Sequence, residues 1–246
     1  MFEDVYSSVI EVGEGHTSKR YYIHKDFLCS KIPFFDKMFN GGFAEASSGK
    51  AHLPEDDPDM FDVLCRWIYT DEFRMWDEER EDDVDFKTSQ TILMYLFLDK
   101  LCIRELGDEM ISVLMYSWIK SEHFPGLEHL TAALSQLPEH CNFRKCFLYS
   151  YHFLLNGLVL SERTIEQWPT AAMGKILSDD PALTLEYVEF LRTQPRGAIA
   201  QDPREMPFCT FHAHGEGVEC PFRSGERARD TTAMKDTAKT TLLHQR

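Results

Sequence analysis

The chain opens with residue types that are typical of β-strands. Residues 5–12 are rich in β-branched side chains, Gly13-Glu14-Gly15 marks a turn, and residues 20–23 return to strand-forming types. This pattern predicts a β-hairpin. From His24 the apolar positions take helical spacing, and Pro33 stands where a first helical turn accepts proline. We therefore expect two short helices after the hairpin.

A short strand and a capped helix are expected next. Residues 51–53 suit a strand, and Asp57-Pro58 supplies an N-cap and a first-turn proline for a helix through Tyr69. The expected buried stripe of this helix comprises Met60, Phe61, Leu64, Trp67 and Ile68. Residues 71–85 are too acidic to pack, so they are interpreted as a solvated insertion that starts with a short strand at 73–76.

Helical periodicity returns at Ile92 and continues through several further helices. The last of them opens at Asp180-Pro181 and carries Leu185, Val188 and Leu191. After Arg192 the periodicity stops, and prolines lead into a cluster of cysteines and histidines. The final residues lack apolar periodicity and are expected to be disordered.

Composition and charge narrow the class of protein. Hydrophobic residues make up 43% and aromatics 13%, which favours a dense apolar core. The net charge of −15 repels nucleic acid, and no stretch is apolar enough to span a bilayer. Seven cysteines, mostly in apolar helical patterns, indicate small buried side chains in a reducing compartment. We expect an intracellular protein of the cytoplasm or nucleus that uses neither membrane nor nucleic acid.

Three blocks of sequence resemble the BTB/POZ domain. The first combines an apolar strand, His-Lys, a leucine, a serine and paired aromatics. The blocks are 21–28 with 30–39, 53–61 with 67–70, and 99–101 with 103–106. They follow one another in family order within residues 3–115. The acid-rich sequence of the second block is most similar to that of BTB proteins of filamentous fungi.

The resemblance implies an α+β protein. A BTB/POZ domain with a small mixed sheet and a helical cluster is expected at 1–115, and an all-α extension at 116–194. A Cys/His-rich segment at 195–222 and a disordered tail at 223–246 would complete the chain. Many animal BTB proteins dimerise through an extra strand and helix before the hairpin. This chain begins almost at the hairpin, so that swapped interface is expected to be missing and homodimerisation stays open.

The resemblance also implies a docking site for a protein scaffold. In BTB adaptors that recruit the cullin-three scaffold of a ubiquitin ligase, an apolar-x-Glu element contacts the cullin. Phe43-Ala44-Glu45, in the loop after Gly41-Gly42, is similar to it, and Tyr69 of the second block is the further candidate contact. An exposed loop aromatic makes a good interface anchor. The alternative is a phenylalanine that folds back on its own helices beside a solvated glutamate.

A candidate zinc site lies near the end of the chain. Cys209, His212, His214 and Cys220 supply two thiolates and two imidazoles, a set that suits tetrahedral structural zinc. The spacing differs from that of a standard finger, but two histidines separated by one residue point the same way on an extended strand. An apolar cap is expected from Phe208, Phe211, Val218 and Phe222. The alternative is a flexible tail that merely contains these residues.

No motif of an enzyme is present. The chain lacks a glycine-rich phosphate loop, G-x-S-x-G and H-E-x-x-H. His24 is interpreted as a structural histidine in a hydrogen-bonded core, and Cys141 and Cys146 as packed residues outside any redox pair. A zinc enzyme is disfavoured because four protein ligands would close the site.

Two functions stay open at this point. One is a substrate adaptor that recruits a partner to a cullin-based ubiquitin ligase. The alternative is a BTB scaffold or transcription-linked interaction protein that never binds a cullin.

Overall fold

The computed structural model describes residues 7–75, 83–139, 141–157, 162–214 and 220. The chain divides into two compact units. The N-terminal unit comprises Met1–Glu81 with Leu93–Leu106, and the C-terminal unit comprises Asp82–Ile92 with Gly107–Arg246. The expected disordered tail at 223–246 lies outside the described residues.

A three-stranded mixed sheet forms one side of the N-terminal unit. Strand β1 (Ser7–Val12) pairs antiparallel with β2 (Lys19–His24) and parallel with β3 (Lys50–Leu53), which gives the order β2-β1-β3. The predicted hairpin and third strand are confirmed. Alternation along each strand turns one set of side chains into the core, namely Ile10, Val12, Tyr21, Ile23, Ala51 and Leu53.

Short helices pack against this sheet. They are α1 (Lys25–Lys31), α2 (Pro33–Asn40), α3 (Ala44–Ser48) and α4 (Pro58–Thr70). The Asp57 carboxylate caps α4 by accepting the backbone N–H of Asp59 at 2.8 Å, as predicted. The five predicted stripe residues of α4 are all buried. Phe61 is the centre of this core, with ring centroids of Tyr21 at 4.6 Å and of Phe35 and Phe97 at 6.3 Å.

In the described part of the C-terminal unit, helices account for the regular structure apart from short 3-10 turns. They are α5 (Val84–Lys100), shared with the N-terminal unit, α6 (Arg104–Lys120), α7 (Leu127–Gln136), α8 (Asn142–Asn156), α9 (Glu162–Gln167), α10 (Thr170–Asp179) and α11 (Pro181–Thr193). The expected all-α extension is confirmed. None of the described helices combines the length and the apolar character that a bilayer crossing requires.

Helix α5 begins earlier than its apolar periodicity suggests. It starts at Val84, whereas the periodic apolar positions start at Ile92. Its first turns carry Thr88 and Thr91, which are buried because their hydroxyls donate to helix carbonyls one turn back. Internal hydrogen bonds thus let polar residues occupy core positions that a hydrophobic pattern misses.

The expectation of a short strand at 73–76 is also wrong. Residues 73–75 form no strand, and residue 76 lies outside the described residues. Helix α11 begins at Pro181 as its sequence predicts, and it turns Leu185, Val188 and Leu191 outward while it buries Leu183 and Tyr187.

The cysteines also differ from expectation. All seven thiols are free, but only Cys146 and Cys220 are buried. Cys102 is exposed just after α5, and Cys141 is the N-cap of α8, where its sulfur accepts the backbone N–H of Arg144. Local chain geometry, not apolar packing, places these two residues.

Candidate functional site

Phe43 and Glu45 lie together at the start of helix α3. The Phe43 side chain is 59% exposed, so it does not fold back into the helical core. Residues 44–48 are helical, and the expectation of a loop here is therefore wrong. A Cβ at Gly41 would collide with the Lys37 carbonyl oxygen, and Gly49 ends α3 with a φ of +65°. Glycines on both sides thus permit the backbone conformation that presents Phe43.

Tyr69 belongs to a different group of side chains, at the end of α4. Its hydroxyl oxygen accepts the backbone N–H of His24 at 3.1 Å and lies 2.9 Å from His24 Nδ1. The Phe27 ring lies 5.6 Å from the Tyr69 ring, and all three side chains are exposed. We call these residues the aromatic cluster. His24 is therefore not a core residue as expected: it is exposed, and its partner is a tyrosine hydroxyl.

The four predicted metal ligands converge in the C-terminal unit. Ligand atoms of Cys209, His212, His214 and Cys220 all lie within 4.8 Å of one another. His212 Nδ1 lies 3.3 Å from the Cys220 sulfur. Tetrahedral zinc bonds of roughly 2.0–2.3 Å place ligand atoms about 3.3–3.8 Å apart. The four side chains can therefore close around one metal ion with small movements.

The surroundings of the cluster favour the uncharged forms of Cys209 and His212. Burial, followed by a hydrogen bond that the Cys209 thiol donates to Cys220, raises the pKa of the Cys209 thiol. Burial lowers the pKa of His212, and the nearby Asp108 carboxylate opposes this shift. Neutral imidazole is the form that binds metals, and a bound cation would favour both thiolates. The pair of thiols and the pair of histidines match the chemistry of a structural metal site.

The segment that carries Cys209 and the two histidines is docked on helices. Phe211 is buried beside the ring of Tyr149 on α8, at 5.8 Å, and Lys145 of α8 donates to the Thr210 carbonyl at 3.2 Å. Further along, the Arg204 guanidinium lies 3.7 Å from the ring centroid of Phe124. These contacts hold residues 204–211 against the rest of the C-terminal unit.

Two of the four residues of the expected apolar cap belong to the described part of the chain. Phe211 is buried and Phe208 is half-buried, whereas Val218 and Phe222 lie outside the described residues. Helix α8 supplies the packing surface through Tyr149. The described part of the Cys/His segment therefore packs on helix α8 of the C-terminal unit.

Sequence reasoning missed the residues that surround His212. Ser112 Oγ of α6 lies 2.8 Å from His212 Nε2, and Asp108 of the same helix accepts the backbone N–H of Ala213 at 2.7 Å. Asn142 donates to the His212 carbonyl. The local signal that could have pointed to them is the four-residue spacing of Asp108 and Ser112, which puts both on one face of α6.

A serine, a histidine and an aspartate also meet in the C-terminal unit. His129 Nε2 lies 2.9 Å from Ser89 Oγ, and its Nδ1 lies 3.5 Å from Asp85 Oδ1. Ser89 stands inside α5, where the neighbouring amides donate to carbonyls one turn back. An oxyanion hole needs free amides aimed beside the nucleophile, as at a strained strand-to-helix turn. The cluster instead ties the first turn of α5 to α7.

Residues 4–84 match the family model of the BTB/POZ domain. The matched stretch contains the whole sheet and helices α1 to α4, so the N-terminal unit has the BTB/POZ fold. This domain is a protein–protein interaction module. The exposed Phe43 and Tyr69 and the half-buried Glu45 all lie within it.

Proposed function

We propose that this protein is an adaptor whose N-terminal domain binds a cullin-type scaffold of a ubiquitin ligase. The observation that supports the proposal is the exposed Phe43 at the head of α3, with Glu45 in the first turn. An aromatic anchor beside a charged residue suits a docking contact. Tyr69 contributes a second contact through the aromatic cluster.

The second half of the chain would recruit the partner. Helix α11 exposes Leu185, Val188 and Leu191, which repeat every third residue along one side of the helix. An apolar row of this kind fits a helix-binding partner. In this proposal residues 1–115 form the interaction domain, 116–194 the recruiting extension and 195–222 a metal-bound segment.

Direct binding tests the adaptor role. The N-terminal region of a cullin from a filamentous fungus is titrated calorimetrically into the full chain, because the second sequence block is similar to fungal BTB proteins. We expect Phe43→Ala/Glu45→Ala to weaken binding by about 2 kcal/mol or more. Leu93→Ala, which removes an exposed side chain of the same unit, should leave the affinity unchanged. A wild-type chain that does not bind would contradict the proposal.

A scaffold that never meets a cullin is the second candidate. The aromatic cluster favours it, since His24, Phe27 and Tyr69 offer a docking surface that needs neither Phe43 nor Glu45. Phe27→Ala/Tyr69→Ala should then abolish partner capture, while Phe43→Ala/Glu45→Ala should preserve it. Quantitative mass spectrometry of captured proteins separates the two candidates.

We also propose that the Cys/His cluster holds one structural zinc ion. Two of its ligand residues, His212 and Cys220, are buried, and four protein ligands leave no open position for substrate. Elemental analysis of protein purified without added metal should find one zinc per chain. Cys209→Ser/Cys220→Ser should contain none, and metal-free wild-type protein would contradict the zinc assignment.

A further inference from the structure

We infer that Asp108 and Ser112 of helix α6 are positioning residues for the metal site. The bound ion would then hold the segment that carries Cys209, His212 and His214 on helices α6 and α8. This inference rests on the proposed zinc site and extends it from four ligands to the helices that hold them. The supporting observation is that three side chains, remote in sequence, form hydrogen bonds with the His212 ring or with the His212–Ala213 peptide group.

Ser112 sets the orientation of the His212 ring. The two nitrogens of the ring face different partners, with Nδ1 toward the Cys220 sulfur at 3.3 Å and Nε2 toward Ser112 Oγ at 2.8 Å. Both His212 and Ser112 are buried. A metal-bound histidine usually donates its other ring N–H to an acceptor that fixes the tautomer and the ring plane. Ser112 is that acceptor, which leaves the Nδ1 lone pair for the metal.

Asp108 fixes the backbone between the two histidine ligands. Its buried carboxylate accepts the N–H of Ala213, the residue that separates His212 from His214. On the opposite side of the same peptide, Asn142 of α8 donates to the His212 carbonyl. The spacing of the two histidine ligands is thereby set by helices α6 and α8.

The charge balance also suits a cation. Two thiolates neutralise a divalent ion, and the buried Asp108 carboxylate adds a further negative charge beside it. A neutral amide at residue 108 would keep the hydrogen-bond acceptor and lose this charge. The two contributions can therefore be measured apart.

Zinc affinity of the full chain, measured by competition with a chromogenic chelator, tests the inference. We expect Ser112→Ala and Asp108→Ala to lower the affinity by roughly 10- to 100-fold. Asp108→Asn should lose less, because the amide oxygen still accepts the Ala213 N–H. Ser117→Ala, a buried serine on the same helix, is the matched control and should bind zinc as the wild type does.

Cobalt substitution separates positioning from a general loss of stability. The visible absorption of bound cobalt reports ligand geometry, so Ser112→Ala should change the spectrum and Ser117→Ala should not. Thermal unfolding in excess chelator then shows whether the two variants differ without metal, and we expect equal midpoints. Wild-type affinity and spectrum in both Ser112→Ala and Asp108→Ala would overturn the inference alone. A wild-type chain that takes up neither metal would overturn the zinc proposal with it.

Discussion

The two units bury polar groups to very different extents. Among the described residues, ten of the eleven buried polar or charged side chains belong to the C-terminal unit, and Ser8 is the exception. In the N-terminal unit the ion pair of Lys19 with Asp62 lies at the surface. It also turns several aromatic side chains outward. Apolar burial thus stabilises the N-terminal unit and leaves its polar and aromatic surface available for partners.

The C-terminal unit depends on specific polar contacts between distant parts of the chain. Arg144 of α8 pairs with Glu186 of α11 at 2.7 Å, and the Trp118 indole N–H donates to Thr88 at 3.0 Å. An unpaired buried polar group costs free energy, so each such contact restricts the packing to one arrangement. We therefore expect the two units to respond differently to substitutions.

The largest effect is expected from the apolar core of the N-terminal unit. Phe61 is fully buried, and Phe61→Ala should lower the free energy of unfolding by about 3–5 kcal/mol. Phe27→Ala removes the same side chain from a position that is 51% exposed, and its cost should stay within about 0.5 kcal/mol. Urea unfolding measures both. Equal losses would contradict a stability that rests on burial.

A somewhat smaller effect is expected from the buried ion pair of the C-terminal unit. Arg144→Met leaves the Glu186 carboxylate without its partner and should cost about 3 kcal/mol. Arg144→Met/Glu186→Leu removes both charges and should regain most of that loss. Calorimetric unfolding of the two variants decides the point. A double variant as unstable as the single one would show that packing, not the charge pair, dominates here.

The smallest effect is expected at two matched helix caps, one in each unit. Asp57 accepts one backbone N–H at the start of α4, whereas Asp180 accepts two at the start of α11. Replacement by alanine should cost about 1 kcal/mol at either cap. We expect Asp180→Ala to cost more than Asp57→Ala. The reverse order in urea unfolding would contradict the expectation that a cap with two hydrogen bonds stabilises its helix more than a cap with one.

Local signals in the sequence predict much of the N-terminal unit. β-Branched residues specify the hairpin, and Asp57-Pro58 specifies the start of α4. The four candidate metal ligands are also found this way, because two histidines one residue apart face the same side of an extended chain. Each of these signals spans a few residues, which is the range that sequence patterns cover.

Contacts between distant residues are what sequence reasoning misses. Ser112 and His212 are a hundred positions apart, and neither neighbourhood reveals the other. The early start of α5 is hidden because buried threonines satisfy their hydroxyls inside the helix. His24 hydrogen-bonds with Tyr69, which lies 45 positions along the chain, at the surface and not in the core. Tertiary structure decides each of these cases.

The central claim is that partner docking depends on the Phe43 region and not on the metal site. Tagged full-length chains are used to capture partners from a fungal lysate, and captured cullin is quantified by mass spectrometry. We expect the wild type and Cys209→Ser/Cys220→Ser to retain the cullin, and Phe43→Ala/Glu45→Ala to lose it. The adaptor proposal would be contradicted if the wild type captured no cullin, or if the Phe43→Ala/Glu45→Ala variant captured as much cullin as the wild type.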